Sequence, residues 1–396
     1  MKRLATLLIA LMAATHLIAA DKDADIDWDT DVYPQGNIFP SFIIGTARVD
    51  LPEDLFAQWE DNHIGDPQGS IGIVLTGTKA GQKIRLTVAE NDLMEESVLE
   101  ETLEEDADGL LIHPKIHYKY DALAAVTQAK PFNISMQLEI DGKSVGKKVA
   151  TATLRPINDC LFGVEENHDD GETTTSDYSW LFSAYVNENH PWVDRILKEA
   201  LETRIVDSFT GYQSGDPDQV LLQIFAIWNV MQRRGLRYSD ITTTSTEDDG
   251  VYSQHVRLFD QSLDAAQANC VDGTVLLAAL LRKIGLHPYL ILVPGHMYLA
   301  VGLDEETTIG IETTLMGSTD LPRVGKDGAA RFQNLDDVKN ETSWESFEAA
   351  VAVGTEDLEK NADEFDSDSL SYQVIDLATA RSAGILPLSA APSAKN

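Results

Sequence analysis

The stretch from Asn269 to Thr314 limits the possible folds more than any other. It opens NCVDGTVLLAALLRKIGL, a run that is apolar on nearly every side. A helix with this pattern has no face to show to water, so other layers must cover it. Asn269 is a good N-cap residue, Asp272 stands three positions on as in a capping box, and Gly285 supplies the C-terminal stop. This frame places Cys270 at the helix N-terminus, where unpaired N–H groups favour a thiolate, while the charge of Asp272 opposes it. PYLILV follows, then the turn dipeptide Pro294-Gly295, then HMYLAVGL, DEETT and IGIETTLM. These read as two or three antiparallel strands. A turn centred near Asp304 sets His296 opposite Glu312 on one face, with Cβ atoms about 4.5–5.5 Å apart. A slip of one residue would move one of them to the other face.

The expected arrangement is a thiol at a helix tip, an imidazole at a strand start and a carboxylate behind the imidazole. Cysteine catalysis uses this set: a base near the nucleophile and a third group that orients the base. An oxyanion hole would need a backbone N–H near the cysteine and one more donor. Gln254 and Gln267 are the candidate amide side chains. The same ligand types would suit zinc with a water, but the reading taken is nucleophile and base, with no metal and no cofactor. No G-x-S-x-G, H-E-x-x-H, G-x-x-x-x-G-K or paired C-x-x-C occurs.

NCVDGTVLLAALLRKIGL, then GHMYLAV, then IETT resembles the core of bacterial transglutaminase-like domains in the papain-like superfamily. The resemblance covers roughly residues 160–320 and implies a domain over residues 160–322. It implies Cys270 as nucleophile, His296 as general base and Glu312 as the third member. It also implies a cysteine enzyme acting on amide bonds by hydrolysis or acyl transfer, with a protein, peptide or cell-wall amide as substrate.

The remaining chain sets the surroundings of this core. MKR, the apolar LATLLIALMAATHLIAA and then DKDAD describe a secretory signal peptide over residues 1–20, too short for a good membrane span. A secreted or periplasmic protein is expected, with no integral membrane segment once the signal is removed. The formal charge is −35, and loss of Lys2 and Arg3 makes it two units more negative. Such a chain repels nucleic acid and anionic lipid surfaces, so neither is expected as a partner. Residues 21–37 read as an acidic leader, because the acids between Asp21 and Asp31 lack the Gly and Glu of a calcium loop. Residues 38–157 carry short alternating strands, the pattern of an immunoglobulin-like β-sandwich. His113 and His117 are expected at its surface or half-buried.

EENHDDGETTTSD, residues 165–177, reads as a linker or long loop, and SDITTTSTEDDG, residues 239–250, as a polar loop. Helical spacing runs over 189–206 and 216–235, with Trp192 and Trp228 expected in the core. Residues 323–396 form a C-terminal extension packing on the core, with a helix, a strand-and-helix return and a frayed tail. The fold class expected is α+β: a papain-like core preceded by an all-β sandwich. The two cysteines, Cys160 and Cys270, leave an alternative open. An exported chain can join such a pair in a disulfide, which would make the domain a non-catalytic binding or scaffolding module.

Overall fold

The computed structural model describes residues 26–49, 62–106, 109–167, 172–239, 245–324, 332, 335, 338–339, 341–367 and 371–389. The signal peptide, the first part of the acidic leader and the end of the tail lie outside the described residues. The chain is α+β and divides into two compact units, one made of residues up to Tyr178 with Ser245–Gln254, the other of Ser179–Thr244 and His255–Ser389.

The first unit is built on strands whose alternate residues point inward. One four-stranded sheet has the order Asp27–Val32, Ile71–Thr76, Leu110–His113 and His63–Gly65, the last pair parallel and the others antiparallel. A five-stranded sheet has the order Asn37–Ile38, Lys143–Leu154, Lys130–Ile140, Lys83–Val88 and Ser97–Thr102. Ile71, Ile73 and Leu75 of the first sheet share one apolar core with Leu86, Ile134 and Met136 of the second. Burial of this kind, at about 25 cal/mol per Å² of apolar surface, is the main force holding two sheets face to face.

Four sequence expectations change here. The end of the acidic leader is a strand, Asp27–Val32, because Trp28 alternates with the acids and is buried. Residues 165–177 are not a linker: Asp159–Asn167 pairs antiparallel with Thr173–Asp177, Glu165 facing Thr175. Ser245–Asp248 likewise pairs with Val251–His255 and joins the same sheet, closed by Asp249 and Gly250 at positive φ. Threonine-rich stretches have high strand propensity, and this outweighs polar composition once a partner strand is present. His113, expected near the surface, is fully buried.

The second unit surrounds an antiparallel sheet of order Thr308–Ile311, His296–Gly302, Pro288–Val293 and Gln373–Asp376. The C-terminal return therefore supplies a fourth strand. Helices Pro191–Glu202 and Pro217–Arg233 begin at the prolines, each N1 residue preceded by a capping side chain, His190 and Asp216. Trp228 is buried and donates from Nε1 to Ser346 Oγ at 3.1 Å. Trp192 is only half-buried, between the guanidiniums of Arg195 and Arg234, which stand 4.8 and 4.9 Å from its ring. Helix Trp344–Lys360 lies against strand Thr308–Ile311, and helix Cys270–Lys283 packs on Pro288–Val293 and His296–Gly302. Among the described residues no helix is long and apolar enough to cross a membrane.

Candidate active site

Helix Cys270–Lys283 starts as its sequence dictates. Asp272 N–H donates to Asn269 Oδ1 at 2.8 Å and Asn269 N–H donates to Asp272 Oδ2 at 3.2 Å, a reciprocal capping box. Val271 and every residue from Asp272 to Leu281 are buried, while Cys270 at the tip is half-exposed. The charge of Asp272 does not stand alone. Arg257 donates to it from its backbone N–H at 2.8 Å and from Nη1 at 2.7 Å, so the carboxylate is fully hydrogen-bonded and its charge is paired. The opposition between Asp272 and a thiolate at Cys270 is thereby weakened.

The hairpin register differs from the sequence reading by a meaningful step. Leu299 faces Ile311 and Gly302 faces Thr308, so the turn centres on residue 305 rather than 304. Moving the centre by one residue moves the register by two, which keeps every side chain on its face. Continued by one residue, this register puts Glu312 opposite Tyr298 and diagonal to His296. A glutamate spans a diagonal step, and His296 Nε2–H donates to Glu312 Oε2 at 2.6 Å. The other carboxylate oxygen accepts from Thr314 N–H at 3.0 Å and from Thr314 Oγ1–H at 2.6 Å. Both oxygens of the third residue are therefore held.

With Nε2 committed to Glu312, Nδ1 is the nitrogen left for Cys270. The hydrogen bond between the Cys270 sulfur and the ring, and then the one to Glu312, outweigh burial and push the His296 imidazolium up to about 10. Burial raises the Glu312 carboxyl, but the hydrogen bond and charge of His296 and the bonds from Thr314 outweigh it, leaving the group below its ordinary value. At neutral pH the line thus holds a protonated ring between a sulfur and a carboxylate. The side chain of His296 is 31% exposed and that of Glu312 is 7% exposed, so the ring is accessible and the acid is not. Behind it the ring of Tyr298 is stacked, centroids 6.2 Å apart.

The helix and the hairpin are held together beneath the sulfur. A Cβ on Gly273 would stand 3.0 Å from Thr313 Oγ1 and 3.2 Å from its Cβ, so the glycine permits the segment carrying Glu312 to cross there. Thr274 Oγ1 donates to Cys270 O at 2.7 Å and meets Thr313 Oγ1 at 3.2 Å. Gly273, Thr274, Thr313 and Thr314 were not singled out from the sequence. Their one signal was position, next to the cysteine and the acid.

The structure brings Cys270, His296 and Glu312 together, all within the second unit. Gln267 is half-buried on the two-residue strand Gln267–Ala268, which pairs with Arg237–Tyr238. Gln254 lies on Val251–His255 and belongs to the first unit. Both cysteines are free thiols: Cys160 is fully buried, and burial pushes its thiol well above the ordinary value. Among the described residues no group of three His, Cys, Asp or Glu side chains is placed to hold a metal ion. Compared with known proteins, the chain matches no family model and no protein of curated function.

Proposed function

We propose that the chain is an exported transglutaminase-like cysteine enzyme acting on amide bonds of a protein, peptide or cell-wall substrate. In this reading the second unit is a papain-like core and the first an immunoglobulin-like sandwich. The observation that carries it is the line of Cys270, His296 and Glu312, with a ring protonated at neutral pH. The cysteine-helix and hairpin motifs support the family reading, and the signal-like leader supports export.

The chemistry runs through these residues alone. His296 takes the thiol proton of Cys270 on the way to attack, since the thiolate is the nucleophilic form. The sulfur attacks the amide carbonyl carbon, forming a C–S bond as the carbonyl electrons move to oxygen. The Cys270 backbone N–H, in the first helical turn where no intrahelical acceptor exists, is placed to donate to that oxyanion. The imidazolium gives its proton to the amide nitrogen as the C–N bond breaks and the amine departs. Water or a second amine then attacks the thioester, returns a proton to His296 and expels the sulfur. Glu312 keeps the ring oriented in both halves and stabilises its charge whenever it carries the proton.

Labelling with iodoacetamide at pH 7 tests this reading. Cys270 is expected to react while buried Cys160 does not, and Cys270→Ala should abolish both labelling and any amide turnover. Turnover that survives Cys270→Ala would end the proposal.

A further inference from the structure

Strand Thr308–Ile311 is one edge of its sheet. In an antiparallel strand alternate residues direct their N–H groups to opposite sides. Leu303 N–H donates to Thr307 O at 2.8 Å, which makes the odd-numbered pairs of this hairpin the hydrogen-bonded ones, so the even-numbered residues Gly310 and Glu312 turn their N–H groups outward. An open edge of this kind is usually covered or blunted. Here helix Trp344–Lys360 takes both groups. Gly310 N–H donates to Thr355 Oγ1 at 3.1 Å, and Glu312 N–H donates to Ala350 O at 2.9 Å. In a regular helix the Ala350 carbonyl already serves the N–H of Gly354, and its second lone pair remains for Glu312.

The contact requires glycine on the helix. A Cβ on Gly354 would stand 2.5 Å from Ile311 N, 2.6 Å from Gly310 C and 2.9 Å from Glu312 N, closer than side chains are tolerated. All three atoms are backbone, so nothing can swing aside. A Cβ on Gly310 would in turn strike the Gly354 carbonyl. Two backbones cross without side chains between them, two residues from the carboxylate that holds His296.

We propose that Gly354 and Thr355 are positioning residues for Glu312, so that a helix beyond the cysteine–hairpin motif sets the geometry of the imidazole. The inference rests on reading Cys270, His296 and Glu312 as the reacting line. Helix Trp344–Lys360 fixes the backbone of residues 310–312, Thr314 fixes the carboxylate, and the carboxylate fixes and charges the ring.

The test follows the His296 ring by NMR across pH in the full chain, its signal identified with His296→Gln. The wild-type midpoint is expected near 10. Gly354→Ala should push Glu312 away and lower that midpoint by about one unit or more, since the carboxylate contact is a main cause of the rise. Iodoacetamide labelling of Cys270 at pH 7 should slow about tenfold. Thr355→Val, which removes only a hydroxyl, should shift both in the same direction by less, and it decides the matter if Gly354→Ala does not fold. Ala349→Gly weakens the same helix by a propensity of about 1 kcal/mol without entering the crossing, and should leave the midpoint in place. An unmoved midpoint in folded Gly354→Ala and in Thr355→Val overturns the inference, as does an equal shift in Ala349→Gly. If the midpoint moves as stated and the wild type cleaves no amide, the positioning role stands and the enzyme reading falls.

Discussion

In each unit a histidine is bound to a carboxylate, and the two pairs are built inside out with respect to each other. In the first unit His113 Nε2–H donates to Asp31 Oδ2 at 2.9 Å, and in the second His296 Nε2–H donates to Glu312 Oε2 at 2.6 Å. The first pair buries the ring completely and leaves the acid side chain 30% exposed. The second does the reverse, as described above. What meets the other nitrogen differs as well. His113 Nδ1 accepts from His63 Nε2–H at 2.9 Å, the rings stacked with centroids 5.1 Å apart. A second imidazole cannot take up negative charge as a thiol can. Burial first, and then repulsion from His113, hold His63 down at about 4 against the pull of Asp31, whereas His296 is raised. The same two residue types therefore make a joint with a buried ring in one place and a pair with an accessible, raised ring in the other. A histidine–carboxylate contact alone says little about function. The group on the far nitrogen and the side facing water decide it.

The same substitution in both pairs should break this symmetry most sharply. In His113→Gln the amide cannot reach both Asp31 and His63 in the walled space beside Gly69 and Gly72, where an added Cβ would stand 2.5 Å from the histidine side chain. A half-buried partner is left unmet, so the first unit should lose on the order of 2 kcal/mol, with Cys270 labelling unchanged. His296→Gln keeps a donor for Glu312 and, compared above about pH 10 where the imidazolium's own contribution has gone, should cost stability little. Its labelling rate should fall about 10²-fold or more, the usual worth of a positioned proton-transfer group. Urea unfolding with pulse hydrogen exchange reads each unit separately. A large stability loss from His296→Gln and a small one from His113→Gln would mean the roles are assigned the wrong way round.

A middle-sized effect is a pair of opposite pH windows. His63 titrates near 4 when folded and near its ordinary 6.5 when unfolded, so between these values the unfolded chain binds more protons. Stability of the first unit should therefore fall as pH drops from 6.5 toward 4. His296 binds its proton more tightly when folded, up to about 10. Its contribution is complete below 6.5 and is lost as pH rises toward 10. Glu312 adds an acid loss, but only below its ordinary value of 4.5. Urea midpoints across pH should thus decline on the acid side for the first unit and on the alkaline side for the second. Parallel profiles in the two units would contradict the contrast between the histidines.

How much of this was legible in the sequence follows from how local each feature is. The capping box of Asn269 and Asp272 uses residues three apart, and the helix formed where it was read. The hairpin face was legible because period two survives a shift of the turn centre. The partner of Arg257 was not, since fifteen residues separate it from Asp272. Residues 165–177 were misread because polar composition imitates a linker when the partner strand is out of view. Asp31, His63 and His113 come from three separate strands, and no spacing rule joins them. Gly354-Thr355 looked like an ordinary helical dipeptide, and only the strand pressed against it gives the glycine meaning.

The smallest effect gives the finest test of the comparison. His63→Gln retains an N–H that can donate to His113 Nδ1 but carries no titrating nitrogen. Near pH 7.5, where His63 is neutral in both folded and unfolded chains, the exchange replaces one neutral hydrogen bond with another. The first unit should then change by less than about 1 kcal/mol. The acid slope between pH 6.5 and 4 should disappear from the first unit, while the alkaline slope of the second stays as it was. If the acid slope persists in His63→Gln, the sensitivity belongs to other groups of that unit. The first histidine chain would then be a packing device alone, and the contrast with His296 would rest on exposure rather than on the second imidazole.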